Sequence, residues 1–92
     1  MVDVLIIGSG GAGLTAALSA KEAGASVLVV GKTYPTNSQT SMAQGGINAA
    51  LGNVMEDHIS SHIADTIKSA HGLCDEDMVR KMCADAPETI EW

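Results

Sequence analysis

Val2-Asp3-Val4-Leu5-Ile6-Ile7-Gly8-Ser9-Gly10-Gly11-Ala12-Gly13-Leu14 follows the initial methionine. Its first half is an unbroken, largely β-branched apolar run, the pattern of a parallel strand covered on both faces. Its second half places Gly8, Gly10 and Gly13 in the spacing G-x-G-x-x-G, straight after a strand and opening a helix. In that context Gly8 permits the tight turn and Gly10 lets the backbone approach a pyrophosphate. Gly13 lets the helix pack close to the strand. The helix start adds unpaired N–H groups and a partial positive charge suited to a diphosphate. This predicts nucleotide binding; the alternative is a glycine turn used only for packing.

Outward from that turn, Leu14 to Ala23 reads as an Ala-rich helix with Leu14, Ala17, Leu18 and Lys21 on one side. Gly24 stands where helices end in the left-handed conformation. Ser26 to Val30 is a second buried strand, which completes a parallel βαβ unit whose crossover is expected to be right-handed. After Gly31 periodicity disappears until about residue 54, and a loop of that length is usually functional. A helix then runs from Glu56 or Asp57 to about Ser69, with Ile59, Ile63 and Ile67 stacked as its apolar stripe. Gly72 interrupts it. Asp75 or Asp77 caps another helix through Met78, Val79, Met82 and Cys83 that ends before Pro87. Pro87 then stands at the first position of a further helical turn.

Composition narrows the function classes. The 92 residues are 46% hydrophobic, globular in character, and carry only Tyr34 and Trp92 as aromatics. Net charge is −6 and the five Lys+Arg are scattered singly, which argues against nucleic acid and anionic membrane surfaces as partners. No apolar stretch approaches the ~20 residues of a membrane span, so direct membrane insertion is not expected. The apolar start lacks a preceding basic region and runs into the glycine turn, unlike a signal peptide. Cys74 and Cys83 lack the Cys-x-x-Cys spacing of a metal site or redox pair. They read as two buried thiols in a reducing cytosol, with a cytoplasmic location to match. The length is below that of a typical dinucleotide-binding domain, and the chain stops one turn into a helix. It therefore reads as the amino-terminal piece of a longer protein, against the alternative of a complete small one.

The acidic residue that usually ends the second strand and holds a ribose hydroxyl is missing, since Val30 is followed by Gly31 and Lys32. Lys32 could favour a phosphorylated ribose, or backbone and hydroxyl groups of the next loop could hold the ribose. That loop supplies Thr33, Thr36, Asn37, Ser38, Gln39, Thr40 and Ser41, then Ala43 and Gln44-Gly45-Gly46, which allows a second close backbone approach. Ile47, Ala49, Ala50 and Leu51 follow, so the segment is expected to return to the core; a solvent-exposed Ser/Thr loop is the alternative.

Taken together, Asp3 to Leu14, Lys32 and the run Tyr34 to Leu51 resemble the amino-terminus of the flavoprotein subunit of succinate dehydrogenase and fumarate reductase, with L-aspartate oxidase as a close relative. The likeness continues through Glu56-Asp57, His62, Asp65-Thr66, Lys68 and Asp75 to Ala86-Pro87, so it covers essentially the whole chain. It implies FAD as cofactor, which displaces the phosphorylated-ribose reading. By resemblance Gly8, Ser9, Gly10, Gly11, Ala12 and Gly13 hold the FAD pyrophosphate, and Lys32 lies by the adenosine portion. Ser38, Gln39, Thr40, Ala43, Gln44, Gly45 and Gly46 run along the ribityl and isoalloxazine. The departure is Gln39, where the respiratory members usually carry a histidine bonded covalently to the flavin. A glutamine amide nitrogen is not nucleophilic enough for such a bond, so FAD is expected to be non-covalent. In the family the covalent bond raises the flavin potential, so its loss is expected to tilt the enzyme towards fumarate reduction or towards an easier substrate.

The implied reaction is hydride transfer between flavin N5 and the C2–C3 bond of a C4 dicarboxylate, with an arginine as proton donor. The resemblance assigns no catalytic residue in this chain, and Arg80 sits in a predicted surface helix. Implied partners are an iron–sulfur subunit and a membrane anchor, which would hold the protein peripherally on the cytoplasmic face of the inner membrane. The expected fold is α/β: residues 1–92 form the amino-terminal portion of a FAD-binding Rossmann-type domain, its sheet incomplete and its capping and helical domains absent. Alone, this portion is expected to be inactive. An L-aspartate oxidase fragment and a stand-alone, non-enzymatic nucleotide-binding module are the competing readings.

His58 and His62 are spaced i, i+4 but find no third ligand type nearby, so a solvated or hydrogen-bonded pair is expected rather than a zinc site. His71 reads as a helix-end residue. Met42, Met55, Met78 and Met82 read as packing, and Asp75-Glu76-Asp77 as a helix-start cluster that complements the dipole.

Overall fold

The computed structural model of the chain describes residues 1–53 and 55–92. They form two compact units, Met1–Gly45 and Gly46–Trp92.

In the first unit, β1 (Val4–Ile7) and β2 (Val27–Val30) pair in parallel with Val4 opposite Val27 and Ile7 opposite Val30. Helix α1 (Gly11–Glu22) connects them, as the βαβ reading requires. The register is locked at both ends. At the start, the Asp3 N–H donates to the Ser26 carbonyl (3.1 Å) and to Ser26 Oγ (2.9 Å). The Ser26 N–H (2.9 Å) and hydroxyl (3.1 Å) donate back to Asp3 Oδ2. At the far end the Gly8 N–H donates to the Val30 carbonyl at 2.7 Å. The Ser26 backbone N–H, and then its hydroxyl, hold the Asp3 carboxyl below the usual aspartate range, because both bonds favour the charged form.

Two expectations about this unit need correction. The strands are not covered on both faces. Val4, Ile6, Val27 and Val29 are half-buried, whereas Leu5, Ile7, Leu28 and Val30 are exposed. One crossover helix shields one face of a two-stranded sheet, so the side chains alternate strictly in and out. Nor is the inner side of α1 the stripe Leu14, Ala17, Leu18, Lys21. Gly11, Gly13, Ala17 and Ala20 are the half-buried positions, and Leu14 and Leu18 point outward. Small side chains let the helix lie close to the strands, and close approach outweighs the larger burial that leucine would bring.

Helix α1 ends as read from Gly24, whose φ is +89°. The Gly24 N–H donates to the Lys21 carbonyl and the Ala25 N–H to the Ala20 carbonyl, the paired bonds of a Schellman cap. The following loop is less irregular than its sequence predicts. It holds a 3₁₀ turn at Pro35–Asn37 and a one-turn helix α2 (Gln39–Met42), with Ser38 as N-cap.

The second unit packs α3 (Ile59–Ala70) against α4 (Glu76–Glu91). Ile63, Thr66 and Ile67 are half-buried, and α4 contributes Val79 and the fully enclosed Cys83. The thiol lies 3.9 Å from Thr66 Oγ1. Asp75 caps α4 as expected: its Oδ1 accepts the Asp77 N–H (3.0 Å) and the Met78 N–H (3.2 Å). His71 closes α3 in the left-handed conformation with φ +50°.

Here too the sequence misleads in places. Helix α4 does not stop before Pro87 but runs through it to Glu91. Proline at 87 cannot donate to the carbonyl of Cys83, four residues back, and the helix continues with that bond missing. Cys74 is only half-buried, unlike Cys83. Met42, Met55, Met78 and Met82 are exposed. Val79 and Cys83 are the buried apolar residues among those described, and burying a valine contributes about 1.5–3 kcal/mol. So small a core leaves methionines no interior to fill.

Candidate functional site

The glycines of the turn between β1 and α1 separate by physical cause. Gly8 has φ +120°, a conformation that L side chains rarely adopt. Gly13 is constrained by room: a Cβ there would overlap the carbonyl oxygen of Gly8 and lie 3.5 Å from Ile6 Cγ2. Gly10 meets neither constraint. Its φ of −84° and ψ of −167° are ordinary extended backbone. A Cβ on it would lie 3.8 Å from its nearest neighbours, Ser38 Cβ and Thr40 Oγ1, an ordinary van der Waals contact. Neither its own conformation nor its protein neighbours demand glycine at position 10, and its Cα leaves a bare backbone surface at the start of α1.

Beside Gly10 the first turn of α1 presents its amides. The Gly11 N–H donates to Thr40 Oγ1 at 3.0 Å, whereas the Ala12 and Gly13 N–H groups have no hydrogen-bond partner among the described residues. Such free amides, at the positive end of the helix dipole, are the donors that phosphate oxygens use. The turn fits a dinucleotide diphosphate by shape and by donor set.

Ser38 and Thr40 come to this turn from α2. Ser38 Oγ accepts the Ser41 N–H (3.3 Å), and the Ser41 hydroxyl donates to the Pro35 carbonyl (2.9 Å), which folds the 3₁₀ turn and α2 into one knot. Gln39, the first residue of α2, is exposed. Ala43 closes α2, and Gln44 and Gly45 follow it. Gly46 belongs to the second unit.

At the carboxyl end of β2 a cleft of about 580 Å³ is lined by Ser9, Leu14, Val29, Lys32, Thr33 and Tyr34 among others. Lys32 is thus brought beside the glycine turn through Ser9, with no acid in the lining. Crevices at the carboxyl ends of parallel strands are where open α/β sheets bind ligands. The missing ribose-binding acid has a local cause. A Cβ on Gly31 would stand 2.5 Å from Ser9 Oγ, 3.1 Å from Ser9 Cβ and 3.2 Å from the Thr33 carbonyl oxygen. Any side chain at 31 has to displace Ser9, whose hydroxyl donates to the Thr33 carbonyl (3.4 Å).

Sequence reasoning passed over two features. The tie between Gly11 and Thr40 joins residues 29 apart, and no short motif announces it. In the second unit, a cavity of about 480 Å³ is lined by Asn48, Asp57, His62, Asp65 and Thr66 among others. His62 Nδ1 is buried and without a hydrogen-bond partner among the described residues. His58 precedes α3, and its Nε2 lies 3.2 Å from Glu56 Oε1. Ile47 is exposed while Ala49, Ala50 and Leu51 are half-buried, so the return of the loop to packed structure begins at Ala49.

Comparison with known proteins places this geometry in a family. The FAD binding domain family model matches residues 3–92. The mitochondrial succinate dehydrogenase [ubiquinone] flavoprotein subunit of Oryza sativa is 46% identical over 88 residues, which is 96% of this chain and 14% of the rice protein. The succinate dehydrogenase flavoprotein subunit of Coxiella burnetii is 49% identical over 89 residues, 96% of this chain and 15% of the relative. The L-aspartate oxidase of Streptomyces coelicolor is 43% identical over 88 residues. Among solved structures, a chain of the Mycobacterium smegmatis Sdh1 complex in the apo form superposes with a TM-score of 0.89 at 38% identity, covering 97% of this chain and 15% of that one. The chain therefore spans about one seventh of the length of such relatives. A bare glycine cradle at a helix N-terminus, a cleft beside Lys32 and these similarities agree: the chain belongs to the FAD binding domain family, with succinate dehydrogenase flavoprotein subunits among its relatives.

Proposed function

We propose that this chain is the amino-terminal part of the FAD-binding domain of a succinate dehydrogenase- or fumarate reductase-type flavoprotein, and that it holds FAD without a covalent bond. The observation that supports the reading is Gly10, whose bare Cα is required neither by its backbone angles nor by its protein neighbours. The Ala12 and Gly13 amides receive the diphosphate, the cleft at Lys32 takes the adenosine portion, and the segment from Ser38 to Gly46 follows the flavin half. Gln39 is exposed and offers an amide in place of an imidazole nucleophile, which is why no covalent bond forms. Bound FAD supplies a two-electron carrier for hydride transfer with a C4 dicarboxylate. The residues here bind and orient; Arg80 lies exposed on α4 and is a poor candidate for the proton donor. Catalysis belongs to the longer protein, whose partners are an iron–sulfur subunit and a membrane anchor. None of the helices among the described residues is long and apolar enough to cross a membrane. Peripheral attachment at the cytoplasmic face through partner subunits rests on the likeness to succinate dehydrogenase flavoprotein subunits.

Two measurements test the reading. Adding FAD to the ¹⁵N-labelled chain shifts the amide signals of Gly8 to Gly13 and Lys32 in a saturable manner, and unmoved signals at millimolar FAD refute the site. Acid precipitation of the loaded protein releases the flavin intact, whereas flavin retained on the denatured protein refutes non-covalent binding. The likeness to the Streptomyces L-aspartate oxidase supports a second reading, in which the same cradle serves an amino-acid oxidase without partner subunits. Reduction of the bound flavin by L-aspartate and not by succinate, in the longer protein, decides for it.

A further inference from the structure

Position 11 is a free position of the glycine motif, yet it holds glycine, and the structure supplies a reason. A Cβ on Gly11 would stand 3.0 Å from Thr40 Oγ1, 3.1 Å from Thr40 Cγ2 and 3.5 Å from Thr40 Cβ. Two of these are tighter than ordinary side-chain packing, so the Thr40 side chain lies directly over the bare Cα. In the same place its Oγ1 accepts the Gly11 N–H at 3.0 Å. The bond satisfies one of the helix amides that otherwise has no intrahelical partner. Gly10 itself supplies no side-chain cap. Thr40 thus acts as a cap delivered from 29 residues away in the sequence.

The segment so tied is internally braced. Ser38 Oγ receives the Ser41 N–H, and the Ser41 hydroxyl reaches the Pro35 carbonyl. Holding Thr40 therefore holds the whole turn from Pro35 to Met42, Gln39 included.

We propose that Thr40 is a positioning residue: by seating on Gly11 it fixes the loop that follows the flavin half of FAD relative to the turn that receives the diphosphate. The inference rests on the FAD reading above. The tie is made by protein atoms alone, and a loop held this way in the free chain meets its ordering cost in folding and not in binding. It also divides the helix start, with Gly11 committed to Thr40 and Ala12 and Gly13 left for phosphate.

The test compares the wild-type chain with Thr40→Val, which keeps the shape and removes the acceptor, and Thr40→Ser, which keeps the acceptor. FAD and ADP are titrated into each and followed by amide shifts, and exchange of the Gly11 amide is measured without nucleotide. ADP carries the adenosine and the diphosphate but no flavin half, so it reports on the Lys32 cleft and the turn without the loop that follows the flavin. In the wild type and in Thr40→Ser the Gly11 amide is protected; in Thr40→Val protection is lost. One lost neutral hydrogen bond weakens FAD about three- to tenfold in Thr40→Val, ADP by less than twofold, and Thr40→Ser restores FAD affinity. Equal losses for FAD and ADP mean that Thr40 touches the phosphates directly and overturn the positioning role. An unprotected Gly11 amide in the wild type, or unchanged FAD affinity in Thr40→Val, overturns it as well. If the wild type binds neither nucleotide, the FAD reading itself fails and takes the positioning role with it, even where the Gly11 amide is protected.

Discussion

Replacing Gly13 with alanine and Gly10 with alanine separates a glycine needed by the fold from one needed by a ligand. At Gly13 the new methyl overlaps the carbonyl oxygen of Gly8 and sits 2.8 Å from its carbonyl carbon. The obstruction is backbone, and the Gly8 N–H is itself bonded to the Val30 carbonyl at 2.7 Å. The overlap is relieved only by lifting α1 from β1 or by breaking that bond. Overpacking of this kind costs about 1–3 kcal/mol, a large share of the stability of a unit with so little buried apolar surface. At Gly10 the methyl keeps 3.8 Å from every neighbour and the backbone angles suit alanine, so stability changes by less than about 0.5 kcal/mol. The methyl does occupy the approach of a diphosphate, and FAD affinity falls by at least about tenfold, the equivalent of roughly 1.4 kcal/mol. Urea titration by circular dichroism reads the first quantity and FAD titration by amide shifts the second. A Gly13→Ala chain as stable as wild type refutes the steric argument. A Gly10→Ala chain that binds FAD normally refutes the reading of the cradle.

Three further outcomes follow from the same structure. The bonds from Ser26 lower the Asp3 carboxyl below its unfolded value, so their stabilisation is present above the unfolded pKa and is lost as pH falls through the folded one; wild type is therefore the more stable at neutral pH and the acid limbs of wild type and Asp3→Asn converge once the Asp3 carboxyl is protonated, whereas a gap that stays constant through the acid limb refutes it. Asp75→Ala removes the acceptor for the Asp77 and Met78 amides and destabilises α4 by about 1 kcal/mol, read as a lower urea midpoint with partial rescue by Asp75→Ser. Pro87→Ala restores the missing helix bond to the Cys83 carbonyl and raises the midpoint, interior proline costing about 3 kcal/mol in a regular helix; a lowered midpoint shows that α4 has adapted to the proline.

Legibility in the sequence followed the range of the interaction. The turn from Gly8 to Gly13, the strands on either side of it, the Gly24 cap and the Asp75 cap are set by neighbours a few residues away, and each was readable from residue type and spacing. The inner face of α1 was misread because Leu14 and Leu18 are the more apolar residues, while proximity to the strands selects Gly13, Ala17 and Ala20. Coverage of the sheet was overestimated for a related reason: an apolar run shows what a strand can bury, not what covers it. Pro87 reads as a boundary in sequence because local rules count the lost bond and cannot count the packing on either side of it, and α4 runs through it.

The sequence by itself determined that a nucleotide turn is present, that a long polar loop follows it, and that position 39 carries an amide instead of an imidazole. Local backbone rules and side-chain chemistry suffice for these. Only the tertiary structure decided what holds four of the glycines to their type: Gly8 by its angle, Gly13 by the carbonyl beside it, Gly31 by Ser9 and Gly11 by Thr40, while nothing in the protein holds Gly10. A glycine's reason lies in the atoms that would meet its absent side chain, and those come from elements distant in the chain.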